Sequence, residues 1–146
     1  MDRVQAEAEV KQLLARFAVA WNTHNDQEYT SCFAPEAGYA TVQGETIQGH
    51  AAIRQRFLAI HRHLVGVPPP LRFEAVQITH PAPGIVVAVL EGTAAKPDRG
   101  ATRKWVVSIM VTLTPNGEWQ IAHLHAGFAP KRRQRWWHRA WARLRH

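Results

Sequence analysis

The chain has one cysteine, Cys32, so it has neither a disulfide framework nor a thiolate metal cluster, and a reducing compartment suits it. No apolar run approaches the roughly 18–20 residues that span a bilayer, and the opening MDRVQAEAEV holds no signal-type apolar stretch. A soluble, cytoplasmic protein is therefore expected, with the tail as the one segment that could associate with a membrane. Acidic residues are scarce in one place only. Residues 1–130 carry 11 basic and 11 acidic side chains, whereas residues 131–146 carry seven basic ones and no acid. The net charge of +7 thus belongs to the tail, and the body is electrically balanced.

What is present is patterned. At 146 residues the chain is long enough to bury about two thirds of its unfolded surface in a single core. Residues 3–24 read as a helix, with Val10, Leu13, Leu14, Phe17, Ala18 and Trp21 spaced by three and four. Asn25 or Asp26 can cap a short second helix over 26–33, which Pro35 ends, and a short strand over 37–42 follows. A third helix runs from His50 to about Leu64 on a stripe of Ile53, Phe57, Ile60 and Leu64. After the breaker Val67-Pro68-Pro69-Pro70 come strands at 71–79, 85–95 and 104–114, and a last strand follows the Asn116-Gly117 turn. Helices first and antiparallel strands second predict an α+β domain over 1–129, with helices on one face of a curved sheet, and a separate tail over 130–146.

In the last strand, strict alternation puts Trp119, Ile121, His123 and His125 on one face. Glu91 interrupts the apolar run IVVAVLEGTAA; pointing inward, it could serve as a base beside His123 or His125, and the competing reading is a strand-end carboxylate that reaches solvent or bonds to Arg103 or Lys104 of a neighbouring strand. These three are the catalytic candidates. Two histidines at i and i+2 lack a third ligand at diagnostic spacing, so no metal and no cofactor is expected. His61 and His63 point about 200° apart on a helix and are expected in solvent. Tyr29, Tyr39, Phe57, Trp105 and Met110 are the candidates to line a cavity, although such residues also build cores.

Ala20-Trp21-Asn22 with Asp26, Tyr29, Phe33 and Ala34-Pro35-Glu36, then Gly49-His50, then Gly117-x-Trp119 with His123-x-His125, resemble the nuclear transport factor 2-like superfamily over about residues 5–128. Within it the chain resembles the SnoaL-like branch and its SgcJ/EcaC group, and the closing GEWQIAHLHAGFAP is similar to the calcium/calmodulin-dependent kinase II association domain. The resemblance implies a cone-like antiparallel or mixed sheet wrapped around three N-terminal helices, a pocket for a small apolar, aromatic or polyketide-like molecule, and a homodimer through the sheet's other face. It leaves open whether the chain is an enzyme or an oligomerisation and anchoring module. The base and tyrosine of ketosteroid isomerase-like enzymes would fall at Thr41 and Phe17, which cannot do that chemistry. The association domain's arginines would fall near Glu91, Met110 and Ala126, so no guanidinium-held anion is expected there.

The tail, read as a helix, sets Trp136, Trp137 and Trp141 on one side and Arg132, Arg135 and Arg139 on the other. That is the pattern of a helix lying at an anionic membrane surface, where tryptophan prefers the interface. Docking of the apolar side on the body competes with it, and single-stranded nucleic acid is a lesser partner.

Overall fold

In the computed structural model the described residues are 2–64, 72–95 and 102–128. The arginine and tryptophan positions of the tail, Arg132 through Trp141, lie outside them. Helix α1 (Arg3–Asn22) is followed by α2 (Asp26–Ser31), β1 (Phe33–Ala40), β2 (Thr46–Gln48), α3 (His50–Leu64), β3 (Arg72–Ala82), β4 (Ile85–Ala95), β5 (Thr102–Leu113) and β6 (Trp119–Phe128). The six strands form one sheet in the order β2-β1-β6-β5-β4-β3. All neighbours are antiparallel except β1 and β6, so the sheet is mixed. The expected α+β plan of three helices on a long-stranded sheet is the one observed.

Local chemistry explains the helix ends. The Asp2 carboxylate accepts from the Gln5 N–H at 2.7 Å, and the Asn25 side chain accepts from the Glu28 N–H at 3.1 Å, each satisfying a donor that the first turn leaves free. His24, at a φ of 57°, turns the chain after α1. The buried face of α1 is Ala6, Val10, Leu13, Leu14, Phe17 and Ala20, close to the stripe the periodicity predicts.

Two elements depart from expectation. Strand β1 begins at Phe33 and runs through Pro35, a residue expected to end the second helix ahead of a strand at 37–42. Its pairing with β6 is irregular between Phe33 and Gly38, and a strand tolerates proline where the ladder is interrupted. The second departure sits in β6. Met110 pairs with His123 and Val111 with Ile121, so Ala122 is an extra, unpaired residue. A bulge of one residue reverses which side chains face which way beyond it.

Candidate functional site

The bulge at Ala122 decides what the concave face of the sheet presents to the helices. Ile121 points inward, and beyond the bulge Leu124 and Ala126 do too, all three buried. His123 and His125 are exposed on the convex face. The expectation that both histidines share the face of Ile121 is therefore corrected. Strict alternation would have buried two imidazoles and exposed Leu124; the bulge buries the leucine instead.

Parity assigns the other candidates. Across the convex face one row runs Gly38, His123, Met110, Val87 and Thr79, and the next runs Ala40, His125, Ser108, Val89 and Gln77. Glu91 pairs with Val106 one row further on, and its carboxylate forms an ion pair with Lys104 at 2.9 Å. It is the salt-bridged strand carboxylate of the competing reading and does not reach inward. Met110, expected at a cavity, is 38% exposed on this convex side. Gly38 leaves room for His123: a Cβ there would stand 2.7 Å from His123 Nδ1. The structure thus gathers His123, His125 and Glu91 on one face, across the sheet from the core.

On the concave side lies a small hollow of about 30 Å³, lined by Phe17, Trp21, Tyr29, Tyr39, Phe73, Trp105, Val107, Leu124 and Ala126. Of the five residues expected at a cavity, Tyr29, Tyr39 and Trp105 are here. Phe57 is fully buried behind it, its ring 4.5 Å from that of Tyr29. Phe17, Trp21, Phe73, Val107, Leu124 and Ala126 are lining residues that the sequence did not single out. The signal for two of them was the i, i+4 spacing of Phe17 and Trp21 on one helix face.

Each wall is positioned by its element. Helix α1 supplies Phe17 and Trp21, and α2 supplies Tyr29, whose ring lies 5.1 Å from that of Phe17. Phe73 enters from β3 and meets Phe17 edge-on at 5.8 Å. Gly92 is the floor beneath it, since a Cβ there would press on the Phe73 ring at 3.1 Å. The only hydroxyls in the lining are those of Tyr29 and Tyr39. Burial pushes the Tyr29 phenol well above its ordinary range and the Tyr39 phenol upward, the latter moderated by Tyr29 and by Arg56. Both are neutral donors at physiological pH.

His61, expected in solvent, is 4% exposed. Its Nε2 lies 2.8 Å from the Trp21 carbonyl oxygen and its Nδ1 2.9 Å from that of Phe57, while its ring stacks on Phe57 at 3.8 Å. The imidazole ties the last turn of α1 to α3 and so fixes Trp21 at the edge of the hollow. Its place, four residues after Phe57 on the stripe from Ile53, was the available signal. His50 reaches from the start of α3 to the Phe33 carbonyl at 2.8 Å.

Among the described residues no three His, Cys, Asp or Glu side chains come together in a way that could hold a metal ion. No described helix is long and apolar enough to cross a membrane. Thr41 is buried and its hydroxyl accepts from the Glu45 N–H at 3.1 Å.

The family model of the SnoaL-like domain matches residues 2–143. No protein of curated function matches the chain. Among solved structures, a domain of unknown function with a cystatin-like fold from Nostoc punctiforme is similar at a TM-score of 0.75 and 16% identity, over 94% of this chain and 85% of that one. A ketosteroid isomerase-like protein from Erwinia carotovora is similar at 0.69 and 12%, over 85% and 96%. A protein from Catenulispora acidiphila, solved in complex with S-DNPA, is similar at 0.70 and 18%, over 86% and 95%. At these identities the likeness is one of fold.

Proposed function

This chain belongs to the SnoaL-like domain family, and on that premise we propose that it binds a small, largely apolar molecule bearing one hydrogen-bond acceptor in the hollow between α1, α2 and the sheet. The observation that carries this reading is the lining itself: seven apolar or indole walls around a single pair of tyrosine hydroxyls. An apolar site with few, well-placed polar groups is the usual form of a small-molecule pocket. The Tyr39 hydroxyl, on the less buried of the two rings, has a proton to give to a carbonyl, ether or phenol oxygen on the ligand. The complex of the Catenulispora acidiphila protein with S-DNPA supports ligand binding by the fold.

At about 30 Å³ the hollow holds roughly one water, far below the several hundred Å³ of an occupied site. Binding therefore requires rings to swing aside. Trp105 and Phe73 are the partly exposed members of the lining on the sheet, and they are the ones to move. This is a proposal of binding and not of acid–base catalysis, because His123, His125 and Glu91 stand on the convex face. A thermal-shift screen against aromatic ketones, polyketides and steroids tests it. A hit should lose about tenfold in affinity in Tyr39→Phe, the worth of one neutral hydrogen bond. Hits indifferent to that substitution, or no hits, count against the hollow.

One observation favours a second reading, assembly. The convex rows expose Met110 and leave Val87, Val89 and Val106 half-buried, an apolar strip on a sheet face that a second copy would cover. Sedimentation of Met110→Glu against the parent chain decides whether that strip joins a homodimer.

A further inference from the structure

At the other end of α1 the first turn of that helix, the β3–β4 turn, the end of β5 and the start of β6 enclose a groove of about 450 Å³. That volume falls within the roughly 300–1,000 Å³ of sites that take small organic molecules. The function proposed above makes no use of it. Ala6 borders the groove and Trp21 the hollow, and at 1.5 Å per residue the two lie roughly 22 Å apart along one continuous helix.

Part of the groove's wall is apolar and held in place. Pro81 is the penultimate residue of β3, ahead of a tight Pro83-Gly84 turn in which Gly84 takes a φ of 75° and its carbonyl accepts from the Leu113 N–H at 2.9 Å. Opposite, the Trp119 indole N–H donates to Glu9 at 2.9 Å, which fixes the plane of the ring. Two side chains on the lining can meet an anion: Arg3, whose guanidinium has no ion-pair partner among the described residues, and His80, whose ring N–H can donate a hydrogen bond. The one acid there, Asp2, is engaged with the Gln5 N–H.

We propose that this groove is a second binding site, for a small aromatic carboxylate. The flat ring lies against the Trp119 indole and the two prolines, and the carboxylate is met by the Arg3 guanidinium with His80 beside it. Asp2 at the rim repels a second negative charge, so a monoanion is favoured over a phosphate dianion.

The test is an ¹⁵N-correlation titration of the full chain with 2-naphthoate and, separately, with uncharged 2-naphthalenemethanol. Saturable shifts at Arg3, His80, Gly84 and the Trp119 indole are expected, with naphthoate at least tenfold tighter than the alcohol. Arg3→Glu, an exposed substitution that leaves the unfolding midpoint unchanged, should weaken naphthoate at least tenfold. Shifts confined to Tyr39, Leu124 and Trp105 would overturn the groove assignment while supporting the hollow. No saturable shift at the groove, equal affinity for the alcohol, or indifference to Arg3→Glu would overturn it without touching the hollow.

Discussion

If the bulge at Ala122 is what turns Leu124 inward, then Leu124→Ala and His125→Ala, one residue apart on the same strand, should have opposite fates. Leu124 is 1% exposed and lines the hollow. Truncating a buried leucine costs the transfer free energy of its lost methyls plus a term for the void left behind, about 2.7–5 kcal/mol in well-packed cores. Here the new void merges with a space already present, which collapse of the neighbouring rings has not closed. The cost should therefore fall in the upper part of that range, about 4 kcal/mol, moving the urea midpoint by roughly 2 M at a typical slope. His125 is exposed on the convex face, and its replacement should change stability by less than about 0.5 kcal/mol. Equilibrium urea unfolding of both variants reads the comparison directly. Equal costs, or a larger cost for His125, would mean that β6 alternates without a break and that the histidines face the core.

Three further outcomes follow from the same coordinates. Burial pushes the Cys32 thiol up to about 11, so folded protein at pH 8 should resist iodoacetamide while urea-unfolded protein reacts, as mass spectrometry would show. The hydrogen bond from Arg54 to Asp26, at 2.6 Å, holds that carboxyl below the usual aspartate range; its contribution is complete above that range and is lost as pH falls through the depressed value. Unfolding midpoints of the parent chain should thus fall more steeply than those of Arg54→Ala on the acid side, and parallel curves would refute the pairing. Gly38→Ala forces the exposed His123 ring aside at a cost of about 1 kcal/mol, which Gly38→Ala/His123→Ala should recover; a double-mutant cycle with no coupling would refute the contact.

Much of the architecture was legible because it follows from period alone. Helix α3 is readable from Ile53 and Phe57, and β5 from the alternation of Val107, Ile109 and Val111 with Ser108 and Met110. Site residues were harder to read because facing depends on register, which one extra residue reverses. The clue lay in Leu124, since burying it with Ile121 across an interval of three requires a break in a period of two. Histidine hid a second feature: His61 occupies a stripe position, but its polarity argued for solvent until two carbonyl oxygens were found to meet it. Pro35 misled in the same way, since a proline that cannot continue a helix is admissible in an irregular strand. Tyr39 and Trp105 on inward positions of the sheet, and Tyr29 on the face of α2 turned toward it, meet at the hollow because buried aromatic rings there have nowhere else to go.

The central claim is that the aromatic hollow opens to admit a small molecule whose oxygen accepts from Tyr39. An isotope-filtered NOE spectrum of the labelled chain saturated with acetophenone tests it most directly. Cross-peaks from the phenyl protons to the methyls of Val107, Leu124 and Ala126 are expected, and Tyr39→Phe should weaken them at fixed ligand concentration. Cross-peaks only to residues outside that lining, or none at all, would contradict it.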